Sequence, residues 1–307
     1  MGKLIKWEDP VSKLIYVVSK AIGVLYKPTA IRNEGKAKND IIIDEAKAKA
    51  VAEGESKLIE LDYEQIIEQR RRAIERRQNR NIDDIVSMAY DNLESENTVS
   101  EEPVDEDWTT RFFDYVKDIS NKEMKILWAK ILAGEVKRPS SFSMRTLELL
   151  RNLSRDEAKL FSKAAQFVIR SNNDYFIFND LKNSLSSMGL DFDDITLLNE
   201  AGLLQAQSLI QSTFKRNDNE NLKLALIYAD KVLIISSDKT KTLDIPYYRL
   251  TKAGAELYHL IDNKANEDYI KILANYLKND DLSFEYADFI KESEDMIEHS
   301  DTTIKLY

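Results

Sequence analysis

Between residues 108 and 168, apolar side chains recur at three- and four-residue steps in successive runs, and the runs are separated by helix start and stop signals. A chain with that spacing buries one face of each of several short helices, so this stretch is the centre around which the rest must be arranged. Phe112, Phe113, Val116 and Ile119 form the first run, and Met124, Leu127, Trp128, Ile131 and Leu132 form the second. Ser120 with Glu123 reads as a capping box opening that second helix, and Gly134 as its left-handed stop. Met144, Leu147, Leu150 and Leu153 follow, and a second box, Ser154 with Glu157, opens a helix carrying Leu160, Phe161, Ala164, Ala165 and Val168. A compact helical array is expected over 108–170.

The same residues carry a family likeness. Trp108 to Phe113, the run Leu127-Trp-Ala-Lys-Ile-Leu-Ala-Gly-Glu135, and Phe142-Ser-Met-Arg-Thr-Leu147 resemble an uncharacterised bacterial family, domain of unknown function 2806. That resemblance implies a bacterial source and brings no activity with it.

Composition narrows the class of protein. Eight glycines and five prolines in 307 residues, with 32% charged residues, favour a mostly helical chain with extended charged helices. The absence of cysteine removes disulfides, thiolate metal sites and a cysteine nucleophile. It fits a cytoplasmic location, with the chain peripheral at the inner face of the membrane if its N-terminal helix meets lipid. The net charge is −10, unevenly spread: residues 1–40 carry +4 and the remainder −14.

At that basic end Asp9 and Pro10 mark a helix entry and Pro28 a stop. Lys6, Lys13, Lys20 and Lys27 recur every seven residues and share a narrow polar stripe, while Leu14, Val18, Ile22 and Leu25 belong to the broad apolar remainder. The functional reading is an interfacial helix, lysines at anionic headgroups and apolar residues in the acyl boundary. The alternative is a packing face against the helical array or against a second copy. No run reaches the roughly 18–20 apolar residues of a membrane span.

Residues 31–93 read as a long charged helix or helical hairpin with an imperfect apolar seam of Leu58, Ile59, Tyr63, Ile66, Ile67 and Ile74, suited to a coiled coil or homo-oligomer. It is similar in composition to the charged helices of stomatin-like scaffold proteins. Within it Arg70, Arg71, Arg72, Arg76, Arg77 and Arg80 are candidates for binding phosphate, in nucleic acid or lipid headgroups. The competing reading is a solvated face whose arginines pair with neighbouring glutamates. Residues 94–107 read as a flexible acidic linker that could fold back over those arginines.

Residues 171–263 resemble a winged-helix domain: a helix ending at Gly202, a two-stranded wing over 222–228 and 232–236, then a helix capped by Thr251. The helix before the wing offers Asp191, Asp193, Asp194 and Glu200 and no basic residue, wrong for a DNA groove, although Lys215 and Arg216 precede the wing. Residues 264–307 read as a helical tail with Tyr269, Ile270, Leu273, Tyr276 and Leu277, then Phe284, Tyr286, Phe289 and Ile290. The expected fold class is therefore mainly α, with a winged-helix-like α+β module.

Only His259 and His299 are present, and no phosphate-binding glycine loop, paired-histidine metal motif or serine elbow occurs. Neither a cofactor, a metal site nor catalysis is expected. The function expected from the residues is a non-enzymatic bacterial adaptor or sensor, on a membrane surface or in an oligomer, with a protein partner. The alternative is a nucleic-acid-binding regulator using the arginine run, and a phage-defence or stress-operon role is a third option.

Overall fold

A computed structural model of the chain describes residues 7, 9–23, 25–26, 63–179, 182, 184–206, 211–215, 221–293 and 296–307. Lys6, Lys27, Pro28, Arg216 and the part of the charged helix before Tyr63 lie outside the described residues. The chain divides into two compact units, Met1–Leu147 and Glu148–Tyr307.

Unit 1 is helical. Its elements are α1 (Pro10–Ile22), α2 (Tyr63–Leu93), α3 (Glu106–Val116) and α4 (Lys122–Lys137), and α5 (Met144–Asn152) begins within it. Proline at the first position and the Asp9 carboxylate, accepting the Ser12 amide at 2.8 Å, start α1. Gly23, at φ 73°, ends it five residues before Pro28. The second helix of the array begins one residue later than its capping-box sequence suggests: Asn121, not Ser120, caps α4 by accepting from the Met124 amide at 3.1 Å.

Gly134 does not stop α4, which runs on to Lys137. Its missing side chain makes room instead for the Phe142 ring, which an added Cβ would meet at 2.8 Å. The chain then turns through Ser140, at φ 68°, and the buried Glu135 carboxylate holds that turn by accepting the Ser140 and Phe142 amides at 2.7 and 3.0 Å. The Trp108 indole donates to the Phe142 carbonyl at 2.8 Å. Trp108, Phe112, Phe113 and Trp128 pack as a chain of aromatic contacts with centroids 5.1 to 5.5 Å apart.

Residues 94–105 form no helix, but they are tied to unit 1 at several points. The Ser100 amide donates to the Lys137 carbonyl, Glu96 pairs with Lys137 at 2.7 Å, and Val104 is buried. The acidic side chains Glu96 and Glu106 meet Lys137 and Lys20 rather than the arginine run.

Unit 2 overturns the expectation of a mainly α fold, because a nine-stranded antiparallel sheet runs through it. Its helices among the described residues are α6 (Arg155–Ala164), α7 (Ser184–Ser187), α8 (Phe192–Glu200), α9 (Lys252–Tyr258) and α10 (Glu267–Leu277). The strands are β1 (Val168–Ser171), β2 (Asp174–Phe178), β3 (Leu204–Gln205), β4 (Gln211–Lys215), β5 (Leu222–Tyr228), β6 (Lys231–Ser237), β7 (Thr242–Leu250), β8 (Ser283–Glu292) and β9 (Ile297–Lys305). They pair in the order β3-β7-β2-β1-β5-β6-β8-β9, with β4 also on β7.

Two expectations fail here for identifiable reasons. The supposed wing, β5 and β6, is a hairpin in the interior of the sheet, flanked by β1 and β8. Its burial on both faces, with the adjacent Val232 and Leu233 inaccessible together with Leu226 and Ile235, suits a central strand pair rather than an exposed wing. The supposed last helix is β8. Register shifts at Ala287/Phe289 and Phe289/Lys291 break the two-residue alternation, so Tyr286, Phe289 and Ile290 fall at the three- and four-residue steps of a helix.

Other signals hold. Ser154 and Glu157 form the reciprocal box at the start of α6, Gly202 is left-handed, and Thr251 caps α9, while a further reciprocal box, Asp191 with Asp194, opens α8 without having been expected. Of the aromatics of α10, Tyr269 is core and Tyr276 is 39% exposed: the buried Tyr269 hydroxyl accepts the Phe178 amide at 2.7 Å. Tyr228 is buried too, its hydroxyl donating to the Gln166 carbonyl, and burial pushes its pKa up to about 12.

The β5–β6 turn contains Ala229 at φ 51°, a region an alanine side chain enters at a cost of roughly 1–2 kcal/mol. Asn172 holds the same conformation in the β1–β2 turn, where its short polar side chain tolerates it. Ala229→Asn is therefore expected to stabilise unit 2 by about 0.5–1 kcal/mol, read as a higher urea midpoint at constant slope. An unchanged midpoint would show that the turn is unstrained.

Candidate nucleic-acid interface

Helix α2 is two different helices joined end to end. From Asn81 onward it is anchored: Ile85, Val86, Ala89 and Leu93 are buried, Asn81 donates to the Lys117 carbonyl at 2.8 Å, and Asp84 pairs with Lys125 at 2.7 Å. Over residues 64–80 no side chain is buried. This half carries six arginines and three glutamates, so its charge is +3.

The charges are sorted around the helix. At about 100° per residue, Glu64, Glu68 and Glu75 fall on one stripe, and Arg72, Arg76, Arg80, Arg77 and Arg70 sweep round the neighbouring half of the surface. Arg71 borders the glutamates and bridges Glu68 at 2.9 Å and Glu75 at 3.1 Å, and Arg72 bonds Glu68 at 2.7 Å. Hydrogen bonds from Arg71 and Arg72 pull the Glu68 carboxyl down to about 2. Such pairs, three and four residues apart, support a helix that has no core of its own.

Arg77 lies 3.8 Å from Asp118. Arg70, Arg76 and Arg80 have no carboxylate partner among the described residues, and Arg76 donates only to the Arg72 carbonyl, four residues back. Ile67 and Ile74, 49% and 41% exposed, lie on a further stripe beside Arg70. Three forked guanidinium groups with free donors on one side of a solvent-exposed helix are suited to phosphate oxygens.

Of the N-terminal candidates, Lys13, Leu14 and Val18 are buried within unit 1, and Lys20, Ile22 and Leu25 are at its surface. Lys13 is fully inaccessible and donates to the Ser100 carbonyl at 2.9 Å. Burial pulls its pKa below the ordinary lysine range, against the opposing pull of Glu135 and Glu102. Lys20 pairs with Glu106. Contact of Lys13, Leu14 or Val18 with lipid would require α1 to leave its packing site. No described helix is long and apolar enough to cross a membrane.

The anchored half of α2 also holds a half-buried carboxylate. Desolvation, then the neighbouring Asp84 charge, raise the pKa of Asp83. A raised folded-state pKa means that the charged form is penalised at pH 7 and that protonation relieves the penalty. Asp83→Asn is expected to raise the Tm at pH 7, with the gap to wild type closing as pH falls through the raised Asp83 pKa. A lower Tm at pH 7 would show that the charge is instead favourable.

His259 shares a 3.0 Å hydrogen bond with the Tyr175 hydroxyl, and His299 Nδ1 lies 2.9 Å from the Ser300 carbonyl. The Asp191 and Asp194 carboxylates are engaged in capping α8, and no described group of three His, Cys, Asp or Glu side chains is placed to hold a metal.

Fold and site define an α+β protein with a helical unit, an antiparallel-sheet unit, and an ordered arginine-bearing helix exposed to solvent. The chain belongs to the family described as protein of unknown function DUF2806, whose model matches residues 65–274 and so includes the arginine run. No curated protein and no solved structure matches it.

Proposed function

We propose that the chain is a non-enzymatic adaptor that binds nucleic acid through the arginine face of α2. The observation that carries this reading is the exposed half of that helix, where Arg70, Arg76 and Arg80 lack carboxylate partners among the described residues while the glutamates are gathered on another stripe. A basic helix of this kind attracts phosphates without reading sequence, with a Kd on the order of 1–100 μM near physiological salt. Phosphate contacts of this type position a partner rather than specify it.

Fluorescence anisotropy with labelled single-stranded RNA and duplex DNA tests the reading. Wild type is expected to bind both, and Arg70→Glu/Arg76→Glu/Arg80→Glu to lose at least about ten-fold in affinity while keeping the wild-type Tm. No binding by wild type, or equal binding by the variant, would remove the proposal.

The exposed Ile67 and Ile74 favour a second reading, in which the same helix docks into an apolar groove on a protein partner with an acidic rim. In that case Ile67→Asp/Ile74→Asp, not the arginine variant, would release the partner.

A further inference from the structure

Unit 1 contains a cleft of about 680 Å³, within the size range of small-ligand sites. One wall is aromatic: Trp7 and Tyr16 stand with ring centroids 4.9 Å apart and planes tilted by 54°. The Trp7 indole N–H is itself shielded from solvent and has no acceptor among the described residues. Glu101, Asp105 and Glu106 also line the cleft, with Lys20 the one cation among the described lining residues.

These carboxylates are not equivalent. Asp105 caps α3, accepting the Trp108 amide at 2.8 Å, and Glu106 is paired with Lys20. Glu101 is exposed and has no ion-pair partner among the described residues. The cleft thus offers two aromatic side chains and one uncommitted carboxylate. Tryptophan and tyrosine faces attract organic cations, and a nearby carboxylate adds to that attraction.

We propose that this cleft binds an organic cation, an ammonium or guanidinium headgroup held between the Trp7 and Tyr16 rings and Glu101. The site is separate from the arginine face of α2 and of opposite charge preference, so it does not depend on the nucleic-acid reading.

Trp7 also supplies the readout, because Trp108 and Trp128 are only 3% and 0% exposed. Titrating the full chain with choline and with ethylguanidinium, and following tryptophan emission, is expected to give a saturable change. Glu101→Gln should weaken it by about ten-fold and Tyr16→Leu should abolish it, both with unchanged far-UV circular dichroism. Acetate at the same concentrations should give no saturable change. A wild-type chain that responds to neither cation, a response to acetate equal to that to choline, or identical titrations of wild type and Glu101→Gln would overturn the assignment.

Discussion

Trp128→Ala is expected to remove about 3–5 kcal/mol from the stability of unit 1. Trp128 is fully buried, meets the edge of Phe112 at a centroid distance of 5.5 Å and that of Tyr115 at 6.4 Å, and lies at the middle of the apolar face of α4. Truncation leaves a void among rings that are themselves pinned, Trp108 by its bond to the Phe142 carbonyl, so the site collapses poorly. Against a typical total of about 5–15 kcal/mol, the loss consumes much of what holds a domain folded. Trp128→Phe should cost far less, roughly 1.5 kcal/mol, since the ring volume is mostly kept and a buried indole N–H without an acceptor among the described residues is removed. Urea unfolding followed by near-ultraviolet circular dichroism reads both. A Trp128→Ala loss below about 1 kcal/mol would mean that this aromatic chain is not the centre of the unit.

Gly254→Ala should damage unit 2 as severely, and with a sign opposite to ordinary helix propensity. Within a helix, glycine to alanine normally stabilises by about 1 kcal/mol. Here an added Cβ would lie 2.3 Å from the Leu203 carbonyl oxygen, a backbone atom that cannot swing aside. That oxygen accepts the Thr251 amide at 3.0 Å, and the Thr251 hydroxyl donates to the Gly202 carbonyl while accepting the Gly254 amide. Moving one member displaces the cap of α9 and the short β3–β7 pairing beside it. We expect a loss of about 3 kcal/mol or more, seen as a lowered midpoint for the unit 2 transition. Gly23→Ala provides the contrast: nothing lies within 4 Å of its added Cβ, so only the left-handed φ of 73° opposes it, at roughly 1 kcal/mol. A neutral or stabilising Gly254→Ala would contradict the close approach.

The helical unit was largely legible because its signals are local. Apolar spacing and the proline at α1 each act within one or two turns, as the box at Ser154 does in unit 2. Errors arose where a distant residue decided the outcome, as when Phe142 occupies the space left by Gly134. The sheet was less legible for the same reason. Strand β9 reads Ile-Glu-His-Ser-Asp-Thr-Thr-Ile-Lys, with no apolar alternation, and it is a strand because β8 supplies its backbone partners. Val168 looked like the last apolar position of a helix, whereas the chain leaves α6 through a short 3-10 turn and enters β1 there.

At the candidate site the arginines were visible in sequence, but their availability was not. Glutamate pairing was expected to quench them, and it does so for Arg71 and Arg72 but not for Arg70, Arg76 and Arg80. The N-terminal lysines show the converse, since a seven-residue repeat placed Lys13 on a polar stripe and tertiary packing buried it. The Trp7–Tyr16 cleft had no sequence signal, because its walls come from segments about ninety residues apart.

The salt dependence of duplex DNA binding tests the central proposal most directly. If Arg70, Arg76 and Arg80 each neutralise one phosphate, log K should fall linearly with log salt at a slope of about −2.7, and the triple glutamate variant should approach a slope of zero. A wild-type chain that does not bind duplex, or whose slope is unchanged by removal of the three arginines, would contradict the assignment of α2 as a nucleic-acid interface.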